Sequence, residues 1–268
     1  MNKCPICAAT MRYAFSAELL IKHQVLFSQC SECYFLQSEE PYWLDEAYAD
    51  AIAVADTGLV MRNISLAAKL APLLYLRFDP RAAFVDVAGG YGMLTRLMRD
   101  YGFNFYWDDK FCANLLARGF EAAYSTEPFA ACTAFEVLEH VHDPLTFIRQ
   151  QLGQYDCRTF IFTTELYEGN EPPAKDWWYY TFNTGQHISF YNRATLGKLA
   201  ECLSLNFYSL HGVHILTDQK MQLTPVLHFA TTSQISPIIA LMIRRQLGSR
   251  MGTDHQMLMN SMAENPNR

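Results

Sequence analysis

Apolar positions in this chain alternate between two rhythms. Phe84, Val85 and Val87 surround the acid Asp86 in a short continuous run, the pattern of a buried strand. A cluster of small residues follows (Ala88, Gly89, Gly90, Gly92), and then Met93, Leu94, Leu97 and Met98 recur at helical spacing. The exchange repeats downstream. An aromatic strand is predicted over 103–107, a helix opened by Lys110 and Phe111 and closed by Gly119, and a strand over 131–137. Asp143-Pro144 starts the next helix, 159–164 is a fifth strand, and 192–203 a helix. Two closing antiparallel strands are expected over 207–210 and 213–217. Upstream, 42–55 and 59–76 carry Ala, Leu and Ile at helical intervals, broken at Asp56-Thr57-Gly58. Beyond Lys220 the pattern weakens to one terminal helix over 238–247 and a tail, 252–268, expected to fray. Strands exchanging with helices in this way predict an α/β architecture.

The first segment has a different character. Cys4-Pro-Ile-Cys7 and Cys30-Ser-Glu-Cys33 form two close pairs separated by strand-like pieces such as 25–27. That is the form of a zinc ribbon, in which two knuckles close a tetrahedron of thiolates around Zn. An appendage of roughly 40 residues buries too little surface to fold without such a staple. With four sulfur ligands the ion would be structural, and Cys4, Cys7, Cys30 and Cys33 are its expected ligands. Cys112, Cys132, Cys157 and Cys202 stand among apolar neighbours and read as buried thiols. The expected division is 1–38 as a zinc-ribbon-like module, 39–78 as a helical cover, 79–220 as the core, and 221–268 as a C-terminal helix and tail.

Composition narrows the function classes. A chain of 268 residues, half of them hydrophobic, has material for one ordinary core and a small appendage. A formal charge of -6 argues against general affinity for nucleic acid, which needs clustered Lys and Arg. The N-terminus has neither a basic start nor an apolar run, and the C-terminal apolar stretch falls short of the ~20 residues of a membrane span. A cytoplasmic location without a transmembrane segment is therefore expected.

Small residues after a buried strand let a ligand approach the backbone, and the following helix offers unpaired N–H groups. A pyrophosphate-binding turn is disfavoured, because Thr95 stands where a third Gly or Ala belongs. Three blocks in order, DVAGGYG from Asp86 to Gly92, the acid Asp109 after the second strand, and EVLEHV from Glu136, resemble the class I S-adenosylmethionine-dependent methyltransferases. The resemblance covers 66–217 and departs at Ala88, where that family has its first glycine. It implies a Rossmann-like, seven-stranded class I methyltransferase sheet, preceded here by the zinc-ribbon module and the helical cover. It also implies S-adenosyl-L-methionine as cofactor, held by Asp86, Ala88, Gly89, Gly90, Gly92, Asp109, Lys110 and Glu136, with the adenine met somewhere along Ser125, Thr126 and Glu127. The N-terminal cysteines are similar to a module that some sugar methyltransferases carry.

The acceptor side rests on residues 175–196. Trp177, Trp178, Tyr179 and Tyr180 supply flat surfaces on which a sugar or ring can stack, and Gln186 lies in the turn before His187. A histidine at such a turn titrates near neutral pH and can take a proton from an attacking hydroxyl, so His187 is the candidate general base. The expected reaction is in-line methyl transfer to a small-molecule acceptor, a hydroxyl of a sugar or sugar-linked metabolite. A quinone or phenol acceptor is the first alternative, and a zinc-ribbon binding module on a degenerate core is the second. On a helix, Glu136, Glu139 and His140 at i, i+3 and i+4 would share one face, as in some quinone O-methyltransferases that bind a divalent ion there. The reading preferred for this trio needs no metal.

Overall fold

The computed structural model describes residues 3–48 and 56–264. In chain order it holds β1 (Met11–Leu19), β2 (His23–Cys30), β3 (Leu36–Ser38), α1 (Leu44–Ala47), α2 (Leu59–Arg77), β4 (Ala83–Val87), α3 (Met93–Asp100) and β5 (Asn104–Asp108). These are followed by β6 (Phe129–Ala134), α4 (Pro144–Gln154), β7 (Thr159–Thr163), β8 (Ser189–Phe190), α5 (Arg193–Leu203), β9 (Asn206–Leu210), β10 (Val213–Thr217), α6 (Pro225–Ala230), α7 (Ser236–Leu247) and α8 (Met251–Glu264). The larger sheet has the order β5-β4-β6-β7-β10-β9, with β4 parallel to β5 and β6, and β10 antiparallel to β7 and β9. This is the Rossmann-like arrangement expected, with six strands among the described residues rather than seven. Among the described residues only one parallel bridge lies next to β5, Trp107 to Glu121. Glu121 instead uses its carboxylate on Asn114 and on the Gly119 N–H, which tightens this stretch into turns.

Contact density divides the chain into two units, one of residues 1–56 with 134–220 and one of 57–133 with 221–268. In the first, β1, β2, β3 and β8 form a second, antiparallel sheet. Its fourth strand is the short Ser189-Phe190 pair, more than 140 positions from its neighbour in sequence; Leu36 lies opposite Phe190 and Gln37 opposite Ser189. Phe15, Val25, Phe27 and Leu36 pack with Trp43, Tyr179, Tyr180, Ile188 and Phe190 into an aromatic core. Tyr180 stacks on Phe182 at 4.8 Å and meets Phe190 edge-on at 4.9 Å. Such pairs contribute about 0.5–1.5 kcal/mol each beyond their buried area.

In the second unit α2 packs against α3, α6 and α7. By length and composition α2 could cross a bilayer, but Ala67, Ala68, Leu70, Ala71, Leu73 and Leu74 along it are buried, as in a core helix. The helix expected over 110–119 is absent. Asp109 Oδ1 accepts the N–H groups of Phe111 and Cys112, Asn114 Oδ1 accepts that of Ala117, and Tyr91 O accepts those of Leu115 and Leu116. Donors spent this way cannot enter an i→i−4 ladder. The expected helix over 42–55 is a single turn, α1, within the described residues; 49–55 lie outside them. The tail expected to fray is helical to Glu264, while 265–268 lie outside the described residues.

One buried ion pair explains why α8 is ordered. Asp254 is its only buried residue, and its carboxylate receives Arg99 Nη2 at 2.6 Å, Arg99 Nε at 2.8 Å and Arg96 Nη2 at 2.8 Å. The Arg99 guanidinium also donates to Asn104 and Phe105 O and lies 3.7 Å from the centre of the Phe120 ring. Asp254→Ala should strand this cation and cost about 3–5 kcal/mol, because an unpaired buried charge is penalised far more than a lost contact. Urea unfolding measures the loss, and limited proteolysis should show α8 cleaved first.

Candidate active site

The turn after β4 is built from backbone conformations that side chains disfavour. Ala88 has φ 52°, Gly90 54° and Gly92 84°. For Ala88, the non-glycine member, the left-handed conformation costs about 1–2 kcal/mol. A Cβ on Gly89 would lie 2.9 Å from both Asp86 Oδ2 and Trp107 Cδ1, and one on Gly92 would lie 2.9 Å from Ala117 Cβ. A Cβ on Gly90 would meet nothing within 4 Å, so bare main chain faces open space there. Gly90 is held from both sides: its N–H donates to Asp109 Oδ2 at 2.9 Å, and its carbonyl accepts Trp107 Nε1 at 2.8 Å.

These bonds limit what Asp109 can offer a ribose. With two main-chain N–H groups on Oδ1 and one on Oδ2, one of its roughly four acceptor positions remains. That suffices for one hydroxyl and not for a diol. The neighbouring Asp108, at the end of β5, makes no side-chain hydrogen bond among the described residues and stands at the same strand terminus. Sequence reading passed over it because two adjacent acids give no signal as to which one the turn will consume. Lys110 is exposed.

Asp86 is buried beneath the turn and takes the Thr133 hydroxyl on Oδ1 at 2.8 Å. Burial, aided by the nearby Asp109 charge, pushes its carboxyl up to about 7 against the pull of the Thr133 hydrogen bond.

The EVLEHV block lies in the other unit and is not an α-helix. Glu136 has φ 55°, its N–H and carboxylate both engage Thr163 Oγ1 at 3.0 and 2.7 Å, and only Leu138–His140 form one 3-10 turn. The shared helical face expected for Glu136, Glu139 and His140 therefore does not exist. Glu139 instead gathers with His140 and His187, one donor atom of each lying within 4.8 Å of the others. Glu139 is fully buried, and among the described residues neither of its carboxylate oxygens has a hydrogen-bond partner. Burial and the Glu136 charge push its carboxyl up to about 8. The hydroxyls of Tyr179 and Thr164 offset this slightly from nearby, yet they bond to each other at 3.3 Å. His140 Nδ1 is shared by Gln186 O at 3.0 Å and Tyr48 Oη at 2.8 Å, and His187 Nδ1 meets Tyr179 O at 2.7 Å. Burial pulls the His140 ring down to about 4, so it is neutral at pH 7.

The aromatic run divides. Trp178 is 69% exposed, Trp177 is partly buried against Tyr167, Tyr179, Tyr180 and Phe190, and Tyr179 and Tyr180 lie in the aromatic core. The Gln186 side chain donates to Ala47 O. In the same unit Cys4, Cys7, Cys30 and Cys33 converge, their sulfurs within 4.8 Å of one another, with Cys4 to Cys33 at 3.6 Å and Cys7 to Cys30 at 3.4 Å. A tetrahedral zinc with bonds of about 2.3 Å places its sulfurs about 3.8 Å apart, so the cluster has the dimensions of such a site.

Comparison with known proteins bears on the core. A family model described as a methyltransferase domain matches residues 61–209, more than half of the chain. This chain belongs to that family. No curated protein matches it. Among solved structures, the methyltransferase is similar to the mitomycin 7-O-methyltransferase MmcR at 15% identity, covering 65% of this chain and 59% of that one with a TM-score of 0.43. TnmH matches at 18% identity, covering 66% and 60%, with a TM-score of 0.44. The magnesium protoporphyrin IX methyltransferase ChlM of Synechocystis PCC 6803 matches at 13% identity, covering 65% and 90%, with a TM-score of 0.40. The chain thus spans about three-fifths of the length of the first two.

Within the methyltransferase, the matched segment includes the glycine turn, Asp108, Asp109 and the Glu139 cluster, and excludes the four paired cysteines. The raised Asp86 carboxyl sets a pH dependence. Between the unfolded value near 4 and the folded value of about 7, the folded state holds the proton more tightly, so stability falls as pH rises across that window. Asp86→Asn keeps an acceptor for Thr133 and removes the titration. Its melting temperature relative to the wild type, without cofactor, should be about equal at pH 4 and clearly higher at pH 8, as read by circular dichroism.

Proposed function

We propose that the chain is an S-adenosylmethionine-dependent methyltransferase acting on a hydroxyl of a small molecule, a sugar or sugar-linked metabolite. The observation that carries this reading is the open main chain at Gly90, fixed between Asp109 and Trp107, within a methyltransferase-domain sequence. Gly89, Gly90 and Gly92 would give the donor close backbone approach, with Asp86 and Ala88 shaping the turn. Asp109, assisted by Asp108, would accept ribose hydroxyls, and Lys110 and Glu136 would complete the donor's surroundings. When bound, S-adenosylmethionine supplies a sulfonium-borne methyl with a neutral leaving group.

Two tasks remain for the protein, holding the acceptor and receiving its proton. Trp177 and Trp178 present the accessible ring surface of the acceptor segment, Tyr179 and Tyr180 pack against Trp177, and Gln186, tied to Ala47 O, would fix the turn before His187. His187 would take the proton. Donation from Nδ1 to the Tyr179 carbonyl leaves the ring's lone pair on Nε2, the state a base requires. The acceptor oxygen then gains the methyl as its O–H proton passes to the imidazole.

The four cysteines would hold a structural zinc. Burial raises the Cys7 thiol, and the hydrogen bond with Cys4, together with burial, raises that of Cys33, so a cation among the sulfurs would be what holds all four as thiolates. Metal analysis of the purified chain should find one zinc, lost in Cys30→Ser together with cooperative melting of β1, β2, β3 and β8.

The reaction is tested with methyl-labelled S-adenosylmethionine and a panel of sugars, phenols and quinones, scored by mass. His187→Asn should lower kcat about 10²–10⁴-fold with donor affinity unchanged by calorimetry, and should abolish the ascending limb of the pH–rate profile. An unaltered profile would remove His187 from the chemistry.

A further inference from the structure

A carboxylate with two buried, unbonded oxygens is a costly arrangement unless something outside the polypeptide completes it. Among the described residues Glu139 is in that state, and the groups around it are donors suited to a metal. One carboxylate oxygen and one ring nitrogen from each of His140 and His187 lie within 4.8 Å of one another. Both rings are oriented through Nδ1 by main-chain carbonyls, His140 by Gln186 and His187 by Tyr179. Histidine ligands of metal sites are oriented in this way, with one nitrogen tied to a carbonyl and the other carrying the lone pair.

The main chain around the cluster is also fixed. Ile188 N–H donates to Glu139 O at 2.8 Å, the Ser189 hydroxyl to Val141 O at 2.7 Å, and Tyr191 Oη to Leu138 O at 2.7 Å. The two short segments that carry the three side chains are therefore stitched together before any ligand arrives.

We propose that Glu139, His140 and His187 bind one divalent first-row transition cation. Two imidazoles and one carboxylate suit Mn²⁺, Fe²⁺, Co²⁺, Ni²⁺ or Zn²⁺, whereas Mg²⁺ and Ca²⁺ favour oxygen ligands throughout. The cation neutralises the buried carboxylate and supplies the partner its oxygens lack. Three protein ligands leave a position for water or a ligand atom, unlike the closed four-sulfur cluster. Glu136, which only the less favoured sequence reading would have placed beside a metal, is engaged with Thr163, and His187 stands with Glu139 and His140 instead. The consequence for catalysis, and only that, rests on the function proposed above: an ion on His187 occupies the lone pair that would take the acceptor's proton, so the ion inhibits.

The test is a cobalt titration of the full-length protein, with zinc content followed by metal analysis. One Co²⁺ per chain is expected, with visible d–d bands and no thiolate-to-metal charge-transfer band. Its Kd should weaken at least about tenfold in Glu139→Gln and in His140→Ala. Near-UV circular dichroism establishes that each variant is folded. Should a variant not fold, X-ray absorption at the cobalt edge of the wild type decides, since two imidazoles support the site and none overturns it. Cobalt bound only with a thiolate band, or with equal affinity in Glu139→Gln, also overturns it. Cobalt binding as expected by a chain that, assayed with this site free of metal, transfers no methyl group to any acceptor would sink the proposed function and leave the ion site standing.

Discussion

The two residues of β8 serve two sets of hydrogen bonds at once, and much of the first unit depends on that double use. Toward the N-terminal sheet they pair with β3, and the adjacent Ile188 carbonyl accepts the Ser38 N–H. Toward the EVLEHV block the same stretch supplies the donors that occupy the carbonyls of Leu138, Glu139 and Val141. Buried main-chain groups must be paired, so neither neighbour can withdraw without orphaning donors or acceptors in a water-free place. The cysteine knuckles join the same body: Thr195, near the start of α5, donates to Cys33 O, and Cys202, near its end, contacts Ile6 O. The N-terminal segment is thus the frame for the residues assigned to the acceptor rather than an ornament on the core.

Elements with a strong period were legible from sequence. The strand, glycine turn and helix at 83–100, the capped starts of α4 and α5, and the antiparallel pair β9 and β10 all follow from apolar spacing and capping residues. Two of the failures, the helix over 110–119 and the helical face of the EVLEHV block, share a physical origin, because both occur where side chains compete with a helix ladder. Asp109 and Asn114 capture the amides of 111–117, and Thr163 captures Glu136. No periodicity in one segment can announce a partner supplied by a distant one.

The candidate site was legible to a different degree on its two sides. On the donor side, glycine is required where φ is positive or a Cβ would clash, so residue type alone located the turn. On the acceptor side, aromatic residues carry no such label. The same ring can stack on a ligand or fill a core, and Tyr179 and Tyr180 do the latter. The grouping of Glu139 with His187 was equally invisible, since it depends on a main-chain bond between segments nearly fifty positions apart.

The position of β8 along the polypeptide also bears on how the molecule is made. During synthesis the first three strands leave the ribosome long before Ser189 and Phe190 exist, and their unsatisfied edge must wait through some 150 further residues. A cation captured early by the cysteines would hold that hairpin in shape meanwhile and shield it from mispairing with other nascent chains. Starvation for metal would then be felt first as a fall in the yield of correctly assembled protein, ahead of any loss in the turnover of molecules already complete.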